Sequence, residues 1–146
     1  LRRRRTDDGR PQVPLLAVVS RHPDHLDPRS RLFSAPIRPT LVLASQGTGE
    51  GYPEHVHVVL VDAADPTSLL ATLRDRGLRR VLCEGGPQLF GTLLNAGLVD
   101  ELCLTVSPLL VGGTGLLPEQ TATQALSLTS LVEHDGVLLT RWALGR

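Results

Sequence analysis

The chain has 146 residues, enough for one domain with a buried core. Hydrophobic residues make up 41% and charged residues 21%, and no apolar run reaches the roughly 20 residues that a membrane-spanning helix needs. Basic and acidic side chains balance at 15 each, which leaves no basic field for nucleic acid; every basic residue is an arginine, which excludes Schiff-base lysine chemistry and any phosphate loop built on a lysine.

Residues 1–14, LRRRRTDDGRPQVP, are polar and read as a loop or the frayed end of a helix. With no aromatic residues interleaved and two aspartates behind the arginines, this is a weak nucleic-acid motif. Three apolar runs follow, at residues 15–20, 40–45 and 56–62. Each is continuous rather than alternating, as expected of strands buried on both faces in a parallel sheet. Residues 21–39 contain four prolines and are expected to form an irregular loop; residues 47–53 contain three glycines and are expected to turn.

Asp65 and Pro66 start a helix as N-cap and first helical residue. Leu69, Leu70 and Leu73 line one face of it, and Gly77 closes it. A strand over 78–83, a helix over 87–96 ended by Gly97, and a strand over 102–106 then read as a strand–helix–strand unit with a right-handed crossover. Apolar runs at 126–133 and 137–142 flank His134-Asp135-Gly136, a hairpin signal, so an antiparallel pair is expected to finish a mainly parallel sheet.

Glu84-Gly85-Gly86-Pro87 lies between the expected strand and helix. Glycines there let a phosphate approach the free N–H groups at the helix start; equally, two glycines simply make a tight turn. The spacing is not the G-x-G-x-x-G dinucleotide fingerprint, because Gly85 and Gly86 are adjacent and the next glycine is Gly91. Glu84 suits either of two roles, acceptor for a hydroxyl-rich substrate or structural partner of an arginine. His55 and His57 have no further ligands at matching spacing, and no metal site is expected. Cys83 and Cys103, in apolar runs, are expected to be reduced core thiols of a cytosolic protein.

The run EGGPQLFGTLLNAGLVDELCLTVSPLLVGG resembles the reductase domain of bifunctional riboflavin-biosynthesis proteins, and more closely the stand-alone actinobacterial pyrimidine reductases. PLLAVVSRHPDHLDPRSRLF and VLLTRW look like that family's earlier and final strands. The resemblance implies an α/β, dihydrofolate-reductase-like three-layer fold, with a mostly parallel sheet and a C-terminal antiparallel hairpin. It implies NADPH as cofactor, a cytoplasmic homodimer, and reduction of the ribose of a phosphoribosylamino-pyrimidine to a ribityl chain.

By the same resemblance Glu84 contacts the substrate, and Gly85, Gly86, Pro87, Gln88, Leu89 and Gly91 cradle the cofactor pyrophosphate. Ser20 matches a cofactor-contacting position, Arg21 beside it faces a 2′-phosphate, and Ser45 is an equivalent strand-end candidate. No side chain stands out as a catalytic acid, base or nucleophile. The family's opening strand, its S-L-D-G substrate loop and the following helix–strand unit have no counterpart before Leu1, and methionine is absent. The chain is therefore expected to be a fragment: residues 1–14 a polar segment, residues 15–146 the C-terminal portion of the reductase domain. Two alternatives stand beside this reading, a pterin reductase on the same fold and a truncated nucleotide-binding or dimerisation module without activity.

Overall fold

The computed structural model describes residues 2–34, 39–112, 115 and 117–145. The chain divides into two units, Leu1–Arg79 and Arg80–Arg146.

In the first unit the arginine run forms a short helix, α1 (Arg2–Asp7), with Gly9 beyond it at φ +69°. Strands β1 (Leu16–Ser20), β2 (Thr40–Ala44) and β3 (Val56–Leu60) form a parallel sheet in the order β1-β2-β3. Leu16 pairs with Thr40, and Thr40 with Val56, so the strands run level. All five residues of β2 are buried, as its unbroken apolar sequence requires, whereas β1 is half-buried and β3 is partly exposed.

On one face of β2, Val42 and Ala44 pack in a core with Phe33 and Val56. Leu41 and Leu43 alternate to the opposite face and are buried too. Phe33 comes from α2 (Arg31–Ser34), a helical turn within the segment expected to be irregular, which also holds a 3₁₀ turn over Pro23–His25. The loop after β2 turns through Gly47, Gly49 and Gly51, all at positive φ.

Helix α3 (Pro66–Asp75) starts and stops where its sequence signals lie. The Asp65 carboxylate accepts from the N–H groups of Thr67 and Ser68 at 2.9 and 3.1 Å, satisfying two donors that the first turn leaves free. Gly77 follows at φ +76°, with its N–H on the Arg74 carbonyl. Leu69 and Leu73 are the buried pair.

The strand expected over 78–83 does not form. Residues 78–86 carry no ladder among the described residues, and Val81 and Leu82 are 51% and 77% exposed. Apolar sequence gives a strand only where a second segment pairs with its N–H and C=O groups, and no described strand pairs with this one. The expected strand–helix–strand unit is therefore absent.

The second unit contains α4 (Pro87–Asn95) and a sheet of its own, made of β4 (Glu101–Val106), β5 (Leu126–His134) and β6 (Val137–Leu144). Its order is β4-β6-β5 and both pairings are antiparallel. The hairpin thus joins β4 and does not extend the parallel sheet. Asp135 and Gly136 turn it at φ +50° and +76°, the two left-handed residues of a tight hairpin turn, and Glu133 accepts from the Gly136 N–H at 2.8 Å. Thr129 is an extra residue between Leu128 and Ser130, which pair with Trp142 and Arg141. Its hydroxyl donates to the Arg141 carbonyl at 3.1 Å.

The class is α/β, with a parallel three-stranded sheet and an antiparallel sheet that contains the C-terminal hairpin. Among the described residues no helix is long and apolar enough to cross a membrane.

Candidate functional site

In the second unit, Glu84–Pro87 lead into α4, with Gly86 as N-cap and Pro87 as first helical residue. No side chain caps this end, so the N–H groups of Gln88 and Leu89 are left for solvent or a ligand. Three glycines lie along the turn and helix, for different physical reasons. A Cβ on Gly85 would stand 2.8 Å from Leu89 Cδ2, so the turn lies against that side chain. Gly91 is buried, and a Cβ there would stand 2.8 Å from Pro118 Cδ and 3.4 Å from Thr121 Oγ1; its place is in helix packing.

Gly86 has neither constraint. Its φ of −66° and ψ of 176° suit any residue, and nothing lies within 4 Å of the position a Cβ would take. Serine or aspartate there would cap the helix better. Glycine at 86 leaves the helix start open, which fits a phosphate cradle.

Glu84 is exposed and has no hydrogen-bond or ion-pair partner among the described residues. Of its two readings, pairing with an arginine is not formed. Asn95 ties the far end of α4 down by accepting from the Ala122 N–H at 3.0 Å. The Thr121 hydroxyl beside Gly91 is buried without a partner among the described residues.

In the first unit, Ser20 ends β1 and pairs in register with Ala44, so Ser20 and Ser45 lie at the carboxyl ends of adjacent parallel strands. Ligands of open α/β sheets bind at such ends. Ser20 Oγ accepts from the His22 N–H at 3.2 Å, and Arg21 is exposed. Ser45 Oγ accepts from the Ala63 N–H at 2.9 Å, which fastens the end of β2 to the loop after β3.

Two imidazoles stand next to these residues. The His22 and His25 rings stack with centroids 5.1 Å apart and planes 25° from parallel. They escape a reading for strands and helices because they fall in a proline-rich loop; the available signal is H-P-D-H directly after a strand end.

His55 Nε2 donates to the Phe33 carbonyl at 2.7 Å, a structural contact, while His57 is exposed on β3. Among the described residues no group of three or more His, Cys, Asp or Glu is placed to hold a metal ion. Cys103 is exposed and Cys83 half-buried, both as free thiols, so neither is the core residue that its apolar run suggested.

The chain matches the RibD C-terminal domain family over residues 1–139. It is 31% identical over 119 residues to the 2,5-diamino-6-ribosylamino-4(3H)-pyrimidinone 5′-phosphate reductase of Archaeoglobus fulgidus, covering 77% of this chain and 53% of that protein. It is 28% identical over 103 residues to the riboflavin biosynthesis protein RibD of Mycobacterium tuberculosis, covering 70% of this chain and 24% of the relative. The chain thus spans about half of the first and a quarter of the second.

Among solved structures, a pyrimidine reductase-like protein from Corynebacterium diphtheriae superposes with a TM-score of 0.82 at 25% identity, over 99% of this chain and 66% of that one. A Thermotoga maritima diaminohydroxyphosphoribosylaminopyrimidine deaminase/5-amino-6-(5-phosphoribosylamino)uracil reductase shares the fold, with a TM-score of 0.73 at 23% identity over 90% of this chain and 38% of that one. The chain belongs to the RibD C-terminal domain family.

Proposed function

We propose that this member of the RibD C-terminal domain family carries the cofactor-binding part of an NADPH-dependent reductase of riboflavin biosynthesis. Its substrate is a phosphoribosylamino-pyrimidine of the 5-amino-6-(5-phosphoribosylamino)uracil type, whose ribose is reduced to a ribityl chain. The supporting observation is Gly86, a glycine that neither backbone angle nor packing requires, at the uncapped start of α4. There the N–H groups of Gln88 and Leu89 and the positive end of the helix dipole suit the pyrophosphate. Gly85 and Pro87 shape the turn, and Gly91 sets the depth at which α4 packs. Glu84, exposed and unpaired, accepts hydrogen bonds from substrate hydroxyls. Ser20, Arg21 and Ser45, at their strand ends, take the adenosine side of the cofactor.

Bound NADPH supplies the hydride. The chain's own residues bind and orient. In this reading residues 1–14 are a polar segment and residues 15–146 the C-terminal portion of the reductase domain. The protein works in the cytoplasm as a homodimer. Leu126, Leu128 and Leu131 line one exposed face of β5 and support burial against a second copy.

Residues 78–83, unladdered and leading straight to Glu84, favour a second reading, a nucleotide-binding or dimerising module without turnover. One experiment separates the two. NADPH is titrated against the protein as its gene encodes it, followed by nicotinamide fluorescence, and turnover is measured with the phosphoribosylamino-pyrimidine and with a pterin. Saturable binding with turnover of the pyrimidine is expected. Binding without turnover leaves the module; no binding at millimolar NADPH overturns both.

A further inference from the structure

We propose that Asn95 is a positioning residue for the phosphate cradle: by holding the far end of α4 on the Ala122 N–H, it fixes the tilt of the helix and so the place of the open N–H groups of Gln88 and Leu89. The assignment rests on the cofactor reading of α4 proposed above. It adds a residue at the opposite end of the helix from the phosphate.

α4 is a rod of nine residues, Pro87–Asn95, and Gly91 is its central one. The helix is braced there from outside. A turn over Pro118–Thr121 is closed by the Thr121 N–H on the Pro118 carbonyl at 3.0 Å. Both end residues of that turn lie against Gly91, where a Cβ would stand 2.8 Å from Pro118 Cδ and 3.4 Å from Thr121 Oγ1. The next residue, Ala122, donates its N–H to Asn95 Oδ1 at 3.0 Å. Gly91 and Asn95 are four positions apart and share a helix face. One short segment thus meets the helix at its midpoint and again at its last residue.

The contact at Gly91 is a pivot and the Asn95 bond a tether. At a rise of about 1.5 Å per residue, the arms from Gly91 to Pro87 and from Gly91 to Asn95 are each about 6 Å long. A shift of the Asn95 end therefore appears at the helix start with about the same size and the opposite sense. Apolar packing does not by itself hold that tilt. Phe90 and Leu94 border a cavity of about 280 Å³, shared with Leu102, Pro118 and Leu126, so the helix is not wedged on that side. Dispersion contacts also carry little direction, whereas a hydrogen bond weakens steeply off its axis. Among the described residues, Asn95 to Ala122 is the one side-chain hydrogen bond from α4 to a segment distant in sequence.

A pyrophosphate held by two helix N–H groups needs both within reach at once. A cradle that rocks about Gly91 binds only for the fraction of time it is in place, and its apparent affinity falls by that fraction. The tether keeps that fraction high before the cofactor arrives.

The test uses the full gene-encoded protein with Asn95→Ala and Asn95→Asp. Alanine removes the acceptor and is the best helix former. Aspartate keeps an acceptor oxygen for the Ala122 N–H but puts a negative charge at the helix C-terminus, where the dipole opposes it. Aspartate should therefore give the less stable protein by thermal melting. Dissociation constants for NADPH are read from nicotinamide fluorescence well below both melting temperatures. The expected affinity is about fivefold weaker in Asn95→Ala, the population shift that one neutral hydrogen bond commands, and within about twofold of wild type in Asn95→Asp. Stability and affinity thus rank the two variants in opposite orders, which a merely structural role would not produce.

Equal losses of affinity in the two variants, or none in Asn95→Ala while wild type binds, overturn the positioning role alone. A wild-type protein that does not bind NADPH overturns this proposal and the cofactor reading of α4 together.

Discussion

Tyr52 Oη donates a 2.8 Å hydrogen bond to the carbonyl of Pro23, so the loop that follows β2 holds down the turn that follows β1. The same ring meets Phe33 edge-on, with centroids 5.0 Å apart. Tyr52 thereby connects the buried core of the parallel sheet to the turn that carries His22 and His25.

Replacing Tyr52 by phenylalanine keeps the ring contact and removes the hydrogen bond. The expected cost is about 1 kcal/mol, from the loss of one of the two hydrogen bonds to a carbonyl that keeps the Leu26 N–H, measured by urea or thermal unfolding. The variant also reports on pH. Burial, and then the nearby Asp24 carboxylate, raise the Tyr52 phenol above its ordinary 10.0. The folded state holds that proton more tightly than the unfolded state, so the contribution to stability is complete below about pH 10 and is lost as pH rises through the folded value. Wild type should therefore lose stability more steeply than Tyr52→Phe on the alkaline side. Parallel curves would show that Tyr52 does not titrate differently in the two states.

Gly86→Ser should separate stability from binding. Serine is an N-cap at least as good as glycine, so stability should stay level or rise by a few tenths of a kcal/mol. NADPH affinity should fall, because the new side chain occupies the open space over the helix start. Unchanged affinity in a folded Gly86→Ser protein would reduce the turn to a purely structural role.

Gly91→Val should behave in the opposite way. Its side chain runs into Pro118 and Thr121, and a cost of about 1–3 kcal/mol is expected from overpacking. Thr121→Val nearby replaces a buried, unpartnered hydroxyl by a methyl group of similar size. It should leave stability unchanged or raise it by about 1 kcal/mol, since no hydrogen bond is lost. Chemical denaturation of the two variants checks both signs.

Asp65→Ala removes both side-chain bonds that start α3. A loss of about 1 kcal/mol is expected by thermal melting, with Asp65→Asn or Asp65→Ser retaining most of it. Equal losses in all three variants would mean that the carboxylate acts through charge rather than as a cap.

The elements legible in sequence were those whose partners lie within a few residues. Asp65 and Gly77 delimit α3, Asp135-Gly136 turn the hairpin, and Gly86 and Gly97 flank α4, because caps and turns are settled by neighbouring N–H and C=O groups. The run of β2 was legible for a related reason: a strand with no polar alternation has to be covered on both faces. The family was legible from the E-G-G turn and the segments after it, and from that resemblance came Glu84 and the cofactor residues.

What only the tertiary structure decided was pairing and side-chain company. Residues 78–83 have the sequence of a strand, but a strand is a relation between two chain segments, and among the described residues none is laddered to them. The hairpin pairs with β4 and forms a separate antiparallel sheet, a choice invisible to local periodicity. Gly85, Gly86 and Gly91 read alike in sequence; in the fold one lies against Leu89, one against Pro118 and one against nothing. His22 and His25, which sequence left inside an irregular loop, come together because Pro23 is buried under Tyr52 and Gly47, residues more than twenty positions further along the chain. Contacts of that range depend on how the whole unit packs, and no local pattern encodes them.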